Sequence, residues 1–265
     1  MQIKSNQIWL IGGTGESAEL ARAILAQQLP CIVTVTTVAA KKLYPPESEL
    51  LQIWVGQLHP EHMTQFLTQY QIGAILDASH PFAVEISQLA IAAATQSQIP
   101  YLRYERPEVI SETQGIILKD FNSLLTGEFL VGHRVMLTLG YRHLAEFQPW
   151  QERATLFVRI LPSIVALNAA LAAGFTPDRI VAIRPPISPD LELALWQQWQ
   201  ISLGVTKASG EGGGEITKRT IAAKLGIPLI VIQRPDVSYP RQTRDLAVAV
   251  QFCWGLLVQS PGHQE

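Results

Sequence analysis

The sequence predicts an α/β fold with two similar halves, each built on a parallel sheet that is flanked by helices. Short apolar runs occur along the chain, and most do not alternate with polar residues, which is typical of strands buried on both faces of a parallel sheet. Longer helix-like stretches separate these runs, as in repeated βαβ units. One stretch of the first half is echoed in the second, which indicates two related domains.

The predicted strands follow one another along the whole chain. They are the runs at residues 8–13, 31–38, 50–56, 74–79, 100–107, 115–120, 134–140, 154–162, 179–186, 201–209 and 228–235. Helices are predicted between them, among others at residues 16–29, 85–97, 163–174 and 215–226. Several of these stretches end in glycine or lead into proline, and both residues commonly terminate helices.

The echo relates residues 77–107 to residues 207–235. Each segment contains a polar loop, a helix, an Ile-Pro pair, a strand and an Arg-Pro pair. The pattern breaks near residues 121–133, which predicts an N-terminal domain at 1–128 and a C-terminal domain at 129–265. Because ligands of open α/β sheets bind outside the carboxyl ends of the strands, the polar loops of two facing halves are expected to form a ligand cleft.

The composition excludes several classes of protein. Of 265 residues, 48% are hydrophobic and 16% are charged, which excludes a mainly disordered chain. A formal net charge of −2 argues against general nucleic-acid binding, and no apolar run reaches the roughly 18 residues of a membrane span. The N-terminus leads into a predicted strand rather than a secretory signal, so a cytoplasmic protein is expected. Cys31 and Cys253 fit neither a disulfide framework nor a metal site, and we expect buried thiols.

A glycine-rich turn, Gly12-Gly13-Thr14-Gly15-Glu16, joins the first predicted strand to the first predicted helix. Glycines allow the backbone to turn sharply and to approach a pyrophosphate, which then lies at the helix N-terminus. The strand–turn–helix context therefore predicts a dinucleotide site. The alternative is a tight turn without a ligand.

The end of the second predicted strand distinguishes between two dinucleotides. NAD sites place an acidic residue there, which binds the ribose hydroxyl. Here the strand leads into Thr37, Lys41 and Lys42, with no acidic residue in that place. Hydroxyl and ammonium groups suit a 2′-phosphate, so NADP is favoured over NAD. The alternative is a solvated turn that happens to carry two lysines.

A second polar loop, Asp77-Ala78-Ser79-His80-Pro81-Phe82-Ala83, lies between a predicted strand and a predicted helix. Its place at the carboxyl end of a strand directs its side chains toward the expected ligand crevice. His80 can donate a proton or orient a ligand, because imidazole titrates near neutral pH. The alternative is a helix cap or a packed histidine. Asp77 is expected to hold backbone N–H groups of the turn.

A third loop, residues 207–215, reads Lys-Ala-Ser-Gly-Glu-Gly-Gly-Gly-Glu and is followed by Lys218. Its backbone N–H groups can cradle an anion, but it lacks the Gly-Lys-Ser/Thr ending of the phosphate loops of NTPases. Lys207 can pair with a carboxylate or act as an acid. The alternative is a mobile solvent loop.

Arginines recur at the ends of predicted strands. Arginine binds carboxylates through paired hydrogen bonds, so these positions predict a local basic cleft, although about half of these residues are expected to be structural. The positions are Arg103, Arg106, Arg159, Arg184 and Arg234.

Together, these motifs resemble those of the precorrin-6A reductase family, which acts in cobalamin biosynthesis. The turn at 12–16 is similar to the family's GGT-x-E, and DASHPFA at 77–83 resembles its D-A-T-H-P-F-A, the most specific signal in the chain. Other blocks match at residues 99–107, 138–140, 159–162 and 207–214, and at Lys218. The resemblance thus covers nearly the whole chain.

Three local departures accompany the resemblance. Ser79 replaces the family's threonine and keeps the hydroxyl group. Residues 37–41 replace Ser-x-Ala-Gly-Arg, and Lys41 at the last position can hold a phosphate only as a point charge, without the forked geometry of arginine. Residues 185–188 replace Gly-Pro-Phe-Ser, which changes one pocket wall.

The resemblance implies two Rossmann-like domains with the cofactor and the substrate in the cleft between them. It implies hydride transfer from NADPH, with NADH as a second option, to one carbon of a conjugated C=C–C=N system, and proton delivery to the neighbouring position. The substrate is precorrin-6A or cobalt-precorrin-6A, a macrocycle that carries many acetate and propionate carboxylates.

The resemblance and the loops together assign roles to individual residues. Gly12 to Glu16 are expected to bind the pyrophosphate, and Thr37, Lys41 and Lys42 the 2′-phosphate. His80, Lys207 and bound water are the candidate proton donors. The expected substrate-binding residues are Ser79, Arg103, Arg184, Ser209, Gly210, Gly213, Gly214 and Lys218.

Two other functions stay open. A small-substrate NAD(P) reductase or epimerase would usually carry Tyr-x-x-x-Lys, but none of Tyr44, Tyr101 and Tyr104 has a lysine four residues later. A sensing module would bind NADP without reducing a corrin precursor. We expect a monomer that binds neither nucleic acid nor a membrane, and no motif separates the metal-free substrate from the cobalt-containing one.

Overall fold

A computed structural model describes residues 7–109 and 115–258, with the side chains of 256–258 excepted. Each of the apolar runs predicted to form strands overlaps one. The strands are β1 (Gln7–Ile11), β2 (Cys31–Val35), β3 (Leu51–Val55), β4 (Ile72–Asp77), β5 (Tyr101–Tyr104), β6 (Ile116–Leu118), β7 (Arg134–Leu137), β8 (Thr155–Ile160), β9 (Ile180–Ala182), β10 (Leu203–Lys207), β11 (Leu229–Ile232) and β12 (Gln242–Thr243). The helices are α1 (Gly15–Ala26), α2 (Val38–Lys41), α3 (Pro60–Gln69), α4 (Val84–Ser97), α5 (Phe121–Thr126), α6 (Ile164–Ala172), α7 (Pro189–Gln198), α8 (Glu215–Leu225) and α9 (Leu246–Val258).

The strands form two six-stranded sheets, and neighbouring strands in both are parallel. The first sheet has the order β12-β5-β4-β1-β2-β3, and the second has the order β6-β11-β10-β7-β8-β9. Helices connect the strands, so the predicted α/β class with two parallel sheets is confirmed. The two orders correspond strand by strand, as the echo in the sequence predicts.

In each sheet, the sixth strand is not the strand that follows the other five along the chain. β6 follows β5 in sequence but pairs with β11 of the second sheet, and β12 follows β11 but pairs with β5 of the first. The chain accordingly divides into one compact unit of Met1–Pro107 with Asp236–Glu265 and another of Glu108–Pro235. These limits differ from the boundary between residues 128 and 129 that the sequence suggested.

The core of the first unit explains its uninterrupted apolar runs. On β1, Ile8 and Leu10 face a cluster that includes residues of α1 and α9, while Trp9 and Ile11 face another that includes residues of α3 and α4. Because both faces of the strand are covered, its buried residues, 8–11, are all apolar.

Two features depart from the predicted elements. The second strand ends at Val35 rather than Val38, because Thr37 adopts an extended conformation and caps the short helix α2 with its side chain. β12 has only two residues and no apolar run, so nothing in its sequence marks it as a strand.

Cys31 and Cys253 are both buried in the first core, which confirms the expectation of buried thiols. Burial raises the pKa of the Cys31 thiol above its ordinary range and that of Cys253 to about 12. Neither thiol is therefore a reactive thiolate at neutral pH.

Within residues 7–109 and 115–258, no helix combines the length and the hydropathy that crossing a bilayer requires.

Candidate functional site

The strand order of the first sheet brings two of the predicted loops together. β1 and β4 are neighbours, but the chain continues from β1 toward β2 and from β4 toward β5, on opposite sides. This is the topological switch point at which open α/β sheets bind ligands. The loops that follow the two strands touch, since the Thr14 hydroxyl donates to the carbonyl oxygen of Ala78 at 3.1 Å.

The side chain of Tyr44 binds the glycine-rich turn after β1. The tyrosine hydroxyl accepts the N–H of Gly13 at 2.7 Å and lies 2.6 Å from the Ser17 hydroxyl. A Cβ at Gly12 would approach this hydroxyl to 2.2 Å, so only glycine permits the contact. Thr14 and Ser17 form a reciprocal capping box at the start of α1.

At Gly13 and Gly15 the turn is open, which suits an anion. A Cβ at Gly13 or Gly15 would meet nothing within 4 Å, so the backbone at both positions adjoins open space. The first turn of α1 directs N–H groups without intrahelical acceptors toward that space. The nearby carboxylate of Glu16 is paired with Arg106 at 3.0 Å, which reduces its repulsion of an anion. The turn therefore fits a pyrophosphate.

The three predicted ligands of the 2′-phosphate lie in the segment after β2. Their surroundings differ. The Thr37 hydroxyl accepts the N–H of Ala40 at 3.2 Å. Lys41 forms an ion pair with Glu47, and this contact lowers the pKa of the carboxyl group. Lys42 is exposed. The geometry leaves Lys42 as the more accessible cation of the pair.

Asp77, at the end of β4, is the centre of a buried hydrogen-bond network. Its carboxylate accepts bonds from the Ser79 N–H at 2.9 Å, the Ser87 hydroxyl at 2.6 Å and the Tyr101 hydroxyl at 2.7 Å, and from Arg103 at 2.9 Å. Asp77 and Arg103 are fully buried. The network fixes the loop that carries His80.

Arg103 and Ser79, which the sequence placed at the substrate, are parts of this support. The guanidinium of Arg103 binds Asp77, the Ser79 hydroxyl and Glu105, each at 2.9 Å. Burial alone would lower the pKa of Arg103, but the charges of Asp77 and Glu105 outweigh it and raise the pKa above its ordinary value. The arginine therefore neutralises a buried carboxylate within its own unit.

His80 is half-buried on the loop that Asp77 supports. Its Nδ1 accepts the N–H of Phe82 at 3.2 Å, which places the proton of the neutral ring on Nε2. The ring thus keeps the capacity to donate a proton from Nε2.

The second sheet has the same switch point, between β7 and β10. The Thr138 hydroxyl after β7 donates to the carbonyl oxygen of Val205 in β10 at 3.0 Å. Beside it lies the predicted glycine loop, in which Gly210 and Gly214 have φ values of +72° and +68°. A Cβ at Gly213 would lie 1.9 Å from the Ser209 hydroxyl oxygen, so the loop requires glycine there.

The charged side chains of α8 hold this loop. Glu215 accepts the N–H of Gly210 at 3.0 Å and pairs with Arg219, while the Lys218 ammonium donates to the carbonyl oxygen of Gly213 at 2.8 Å. Lys218 is 3% exposed, and burial, together with the charge of Arg159, lowers its pKa to about 7. Lys218 thus contacts the loop itself.

Lys207 ends β10 and lies near Phe121, which in turn stacks on His143, and sequence reasoning missed both aromatic residues. Its ammonium lies 5.6 Å from the centre of the Phe121 ring, and that ring stacks on His143 at 3.9 Å with an interplanar angle of 19°. Burial and the charge of Arg142 lower the pKa of Lys207 to about 8. Phe121 and His143 follow β6 and β7, so the rule of strand carboxyl ends could have found them.

The remaining arginines differ in their surroundings. Arg184 is exposed after β9, near the Ser188 cap of α7. Arg159 pairs with Glu192, which is 2% exposed, and Arg234 donates to the carbonyl oxygen of Ala208 at 2.9 Å. Of the predicted substrate-binding arginines, Arg184 alone is exposed within the described residues.

Comparisons with known proteins place these loops in a family. Residues 7–254 match the family described as precorrin-6x reductase CbiJ/CobK. The chain is 48% identical over 249 residues to a cobalt-precorrin-6A reductase of Synechocystis, covering 93% of this chain and 95% of the relative. It is 30% identical to a precorrin-6A reductase of Rhodococcus erythropolis, covering 94% and 96%.

The solved structure of a CobK precorrin-6A reductase shares the fold. It superimposes with a TM-score of 0.76 over 94% of this chain and 96% of that chain, at 22% sequence identity. The match of the family model over most of the chain agrees with the resemblance of the loop motifs. The chain therefore belongs to the precorrin-6x reductase family.

Proposed function

We propose that this protein reduces cobalt-precorrin-6A, with metal-free precorrin-6A as the alternative substrate. The observation that carries the proposal is the 48% identity to a cobalt-precorrin-6A reductase over 93% of the chain. Two relatives named precorrin-6A reductase, without cobalt, are 30% and 25% identical, and several cobalt-precorrin-6A reductases are 25–30% identical as well. A reductase of this family uses a nicotinamide cofactor, and the first unit offers a turn that suits its pyrophosphate.

NADPH is the proposed cofactor, and when bound it would supply the hydride. The open side of Gly13 and Gly15 and the start of α1 would hold the pyrophosphate, with Arg106 balancing the charge of Glu16. Thr37, Lys41 and Lys42 would bind the 2′-phosphate. Orientation and charge are the protein's contribution, because the cofactor performs the hydride chemistry.

The second unit is the proposed partner of the macrocycle. In its glycine loop, the N–H groups of Ser209, Gly210, Gly213 and Gly214 already bond within the unit. The exposed part of the loop, Glu211 and Gly212, would offer its N–H groups to a carboxylate, and exposed Arg184 would offer a forked cation. The start of α6 adds exposed apolar side chains at the carboxyl end of β8, since Ile164 is 79% and Val165 is 62% exposed. Carboxylate binding beside apolar surface suits a large ring with an acidic periphery.

The proton that accompanies the hydride has two protein candidates. Lys207 is cationic at neutral pH, because its lowered pKa is still about 8. His80 holds a proton on Nε2 in its neutral form. A cationic N–H gives up its proton more readily than the N–H of a neutral imidazole, which favours Lys207.

An absorbance assay of cofactor oxidation tests the proposed function. NADPH and NADH are each offered with cobalt-precorrin-6A and with metal-free precorrin-6A. We expect oxidation of NADPH, fastest with the cobalt substrate. NADPH binding without oxidation by either macrocycle would instead support the sensing module, and oxidation only with small carbonyl substrates would support the small-substrate reductase. The cytoplasmic location and the monomeric state both stay predictions. Sedimentation of the purified protein tests the monomeric state.

A further inference from the structure

Three side chains of the second unit meet at the carboxyl ends of three strands. Lys207 ends β10, Phe121 lies three residues beyond β6, and His143 lies in the segment after β7. We call them the lysine–aromatic cluster. Glu146 completes the arrangement, because its carboxylate lies 2.7 Å from Nδ1 of His143.

Phe121 is the member that contacts both others. Its ring lies 5.6 Å from the Lys207 ammonium and stacks on the imidazole of His143 at 3.9 Å. It is the first residue of α5, whose start is fixed by Asp120, since the Asp120 carboxylate accepts the N–H of Ser123 at 2.8 Å. The ring is therefore held both by its helix and by the imidazole of His143.

Two opposing influences act on the charge of Lys207. Partial burial and the nearby Arg142 disfavour the ammonium form. The face of an aromatic ring attracts a cation electrostatically, so Phe121 favours the ammonium form. Without the ring, Lys207 would lose its proton at lower pH.

We propose that Phe121 is a positioning residue that holds Lys207 in its protonated form as the proton donor of the reduction. His143 and Glu146 keep the Phe121 ring in place. Bound NADPH would supply the hydride to one carbon of the conjugated system and leave as NADP⁺. An N–H bond of the Lys207 ammonium breaks as a C–H bond forms at the neighbouring position, and water later returns a proton to the amine. This inference rests on the proposed reductase function.

Other charged groups lie on the segments that carry the cluster and on α8, which follows β10. Arg142 opposes the charge of Lys207. On α8, Glu215 binds Gly210 and Arg219, and Lys218 binds the carbonyl of Gly213. The further ionisable groups on the adjoining segments are Lys119, Asp120, Glu211 and Arg234.

The pH dependence of kcat in Phe121 variants tests the proposal. The rate requires protonated Lys207, so it falls as pH rises through the lysine's pKa. In Phe121→Leu the ammonium loses its aromatic partner, and we expect this falling limb to move about half a pH unit lower. Phe121→Trp should keep the limb near its original place. Phe129→Leu, which changes an exposed phenylalanine of the same unit, is the control that should change nothing.

A second measurement needs no turnover. Competitive labelling of lysines with acetic anhydride at a series of pH values, read by mass spectrometry, gives the pKa of Lys207 in each variant. We expect the same downward shift of the Lys207 pKa in Phe121→Leu. If Phe121→Leu does not fold, His143→Leu takes its place in the test, and the same shift is expected there. An unchanged labelling pKa in the folded variants, or an unchanged falling limb in Lys207→Met, would overturn the proposal. Absence of NADPH oxidation by the unaltered protein would instead overturn the reductase function itself.

Discussion

Arg103 shows how a residue type that suits a ligand can serve the protein instead. Its guanidinium has no exposed surface and lies against Asp77, which is equally buried. Removing one partner of such a pair leaves an uncompensated charge in the interior, which is far more costly than losing an exposed pair. The stability of the His80 loop therefore depends on this arginine.

We predict that Arg103→Met lowers the free energy of unfolding by about 3–5 kcal/mol, because the Asp77 carboxylate loses its counter-ion. The matched control is Arg153→Met, which removes an arginine from the exposed pair with Glu128 and should cost less than about 1 kcal/mol. Urea unfolding curves measure both. Equal losses in the two variants would show that burial of the first pair has no special weight.

Gly213 supports a second prediction at the scale of one residue. A methyl group there would collide with Ser209, so Gly213→Ala must displace the glycine loop. Displacement of a binding loop by about 1 Å can cost about 100-fold in rate, and we expect a loss of that order in kcat/KM.

Gly255→Ala is the control for this change, because a Cβ at that position of α9 meets nothing within 4 Å. It should leave kcat/KM unaltered and stabilise the helix by about 0.5–1 kcal/mol, since glycine is a poor helix former. Steady-state kinetics and a thermal melt distinguish the two variants. Full activity in Gly213→Ala would contradict the loop's role.

The sequence identifies which residues belong to the loops but not where their side chains point. Ser79, Arg103 and Lys218 lie on the expected segments, yet each contacts its own unit from a buried position. A polar side chain binds whatever partner the fold brings near. That partner is set by contacts between residues distant in sequence, such as Asp77 with Arg103, which a local motif does not contain.

At the scale of elements, continuous apolar runs predict the strands well because both faces of each sheet are covered. A prediction is too long where the apolar run continues beyond the end of the strand. This happens after β2, where Thr37 caps a helix instead of continuing the strand. β12 was not predicted, because it is a strand without an apolar run. It is a two-residue edge strand whose pairing with β5 depends on the fold and not on its composition.

The segment after β2 supports a prediction about cofactor choice. Replacing both Lys41 and Lys42 with alanine removes the cations expected at the 2′-phosphate, so the KM for NADPH should rise about tenfold or more, as for loss of a charged hydrogen bond. The KM for NADH, which lacks that phosphate, is the internal control and should stay nearly constant. Initial rates with each cofactor measure the difference, and equal increases would refute the assignment.

At the scale of the whole molecule, the Arg-Pro pairs of the sequence echo mark the two places where the chain passes from one unit to the other. Both crossings follow a proline, Pro107 and Pro235. The preceding arginines hold the loops of their own units, since Arg106 pairs with Glu16 and Arg234 binds the carbonyl oxygen of Ala208. The echo thus predicted two related halves, but it could not reveal that their sixth strands are exchanged.

This exchange makes the N-terminal core depend on the C-terminal helix α9, which supports a final prediction. Phe252, 9% exposed, packs in the same cluster as Ile8 and Leu10 of β1, whereas Trp254, two residues on, is 49% exposed. Phe252→Ala should lower the free energy of unfolding by about 3 kcal/mol through the cavity it leaves, and Trp254→Ala by much less. Urea unfolding followed by circular dichroism measures both losses. If Trp254→Ala cost as much as Phe252→Ala, the stability that α9 contributes would not come from the core of the first sheet.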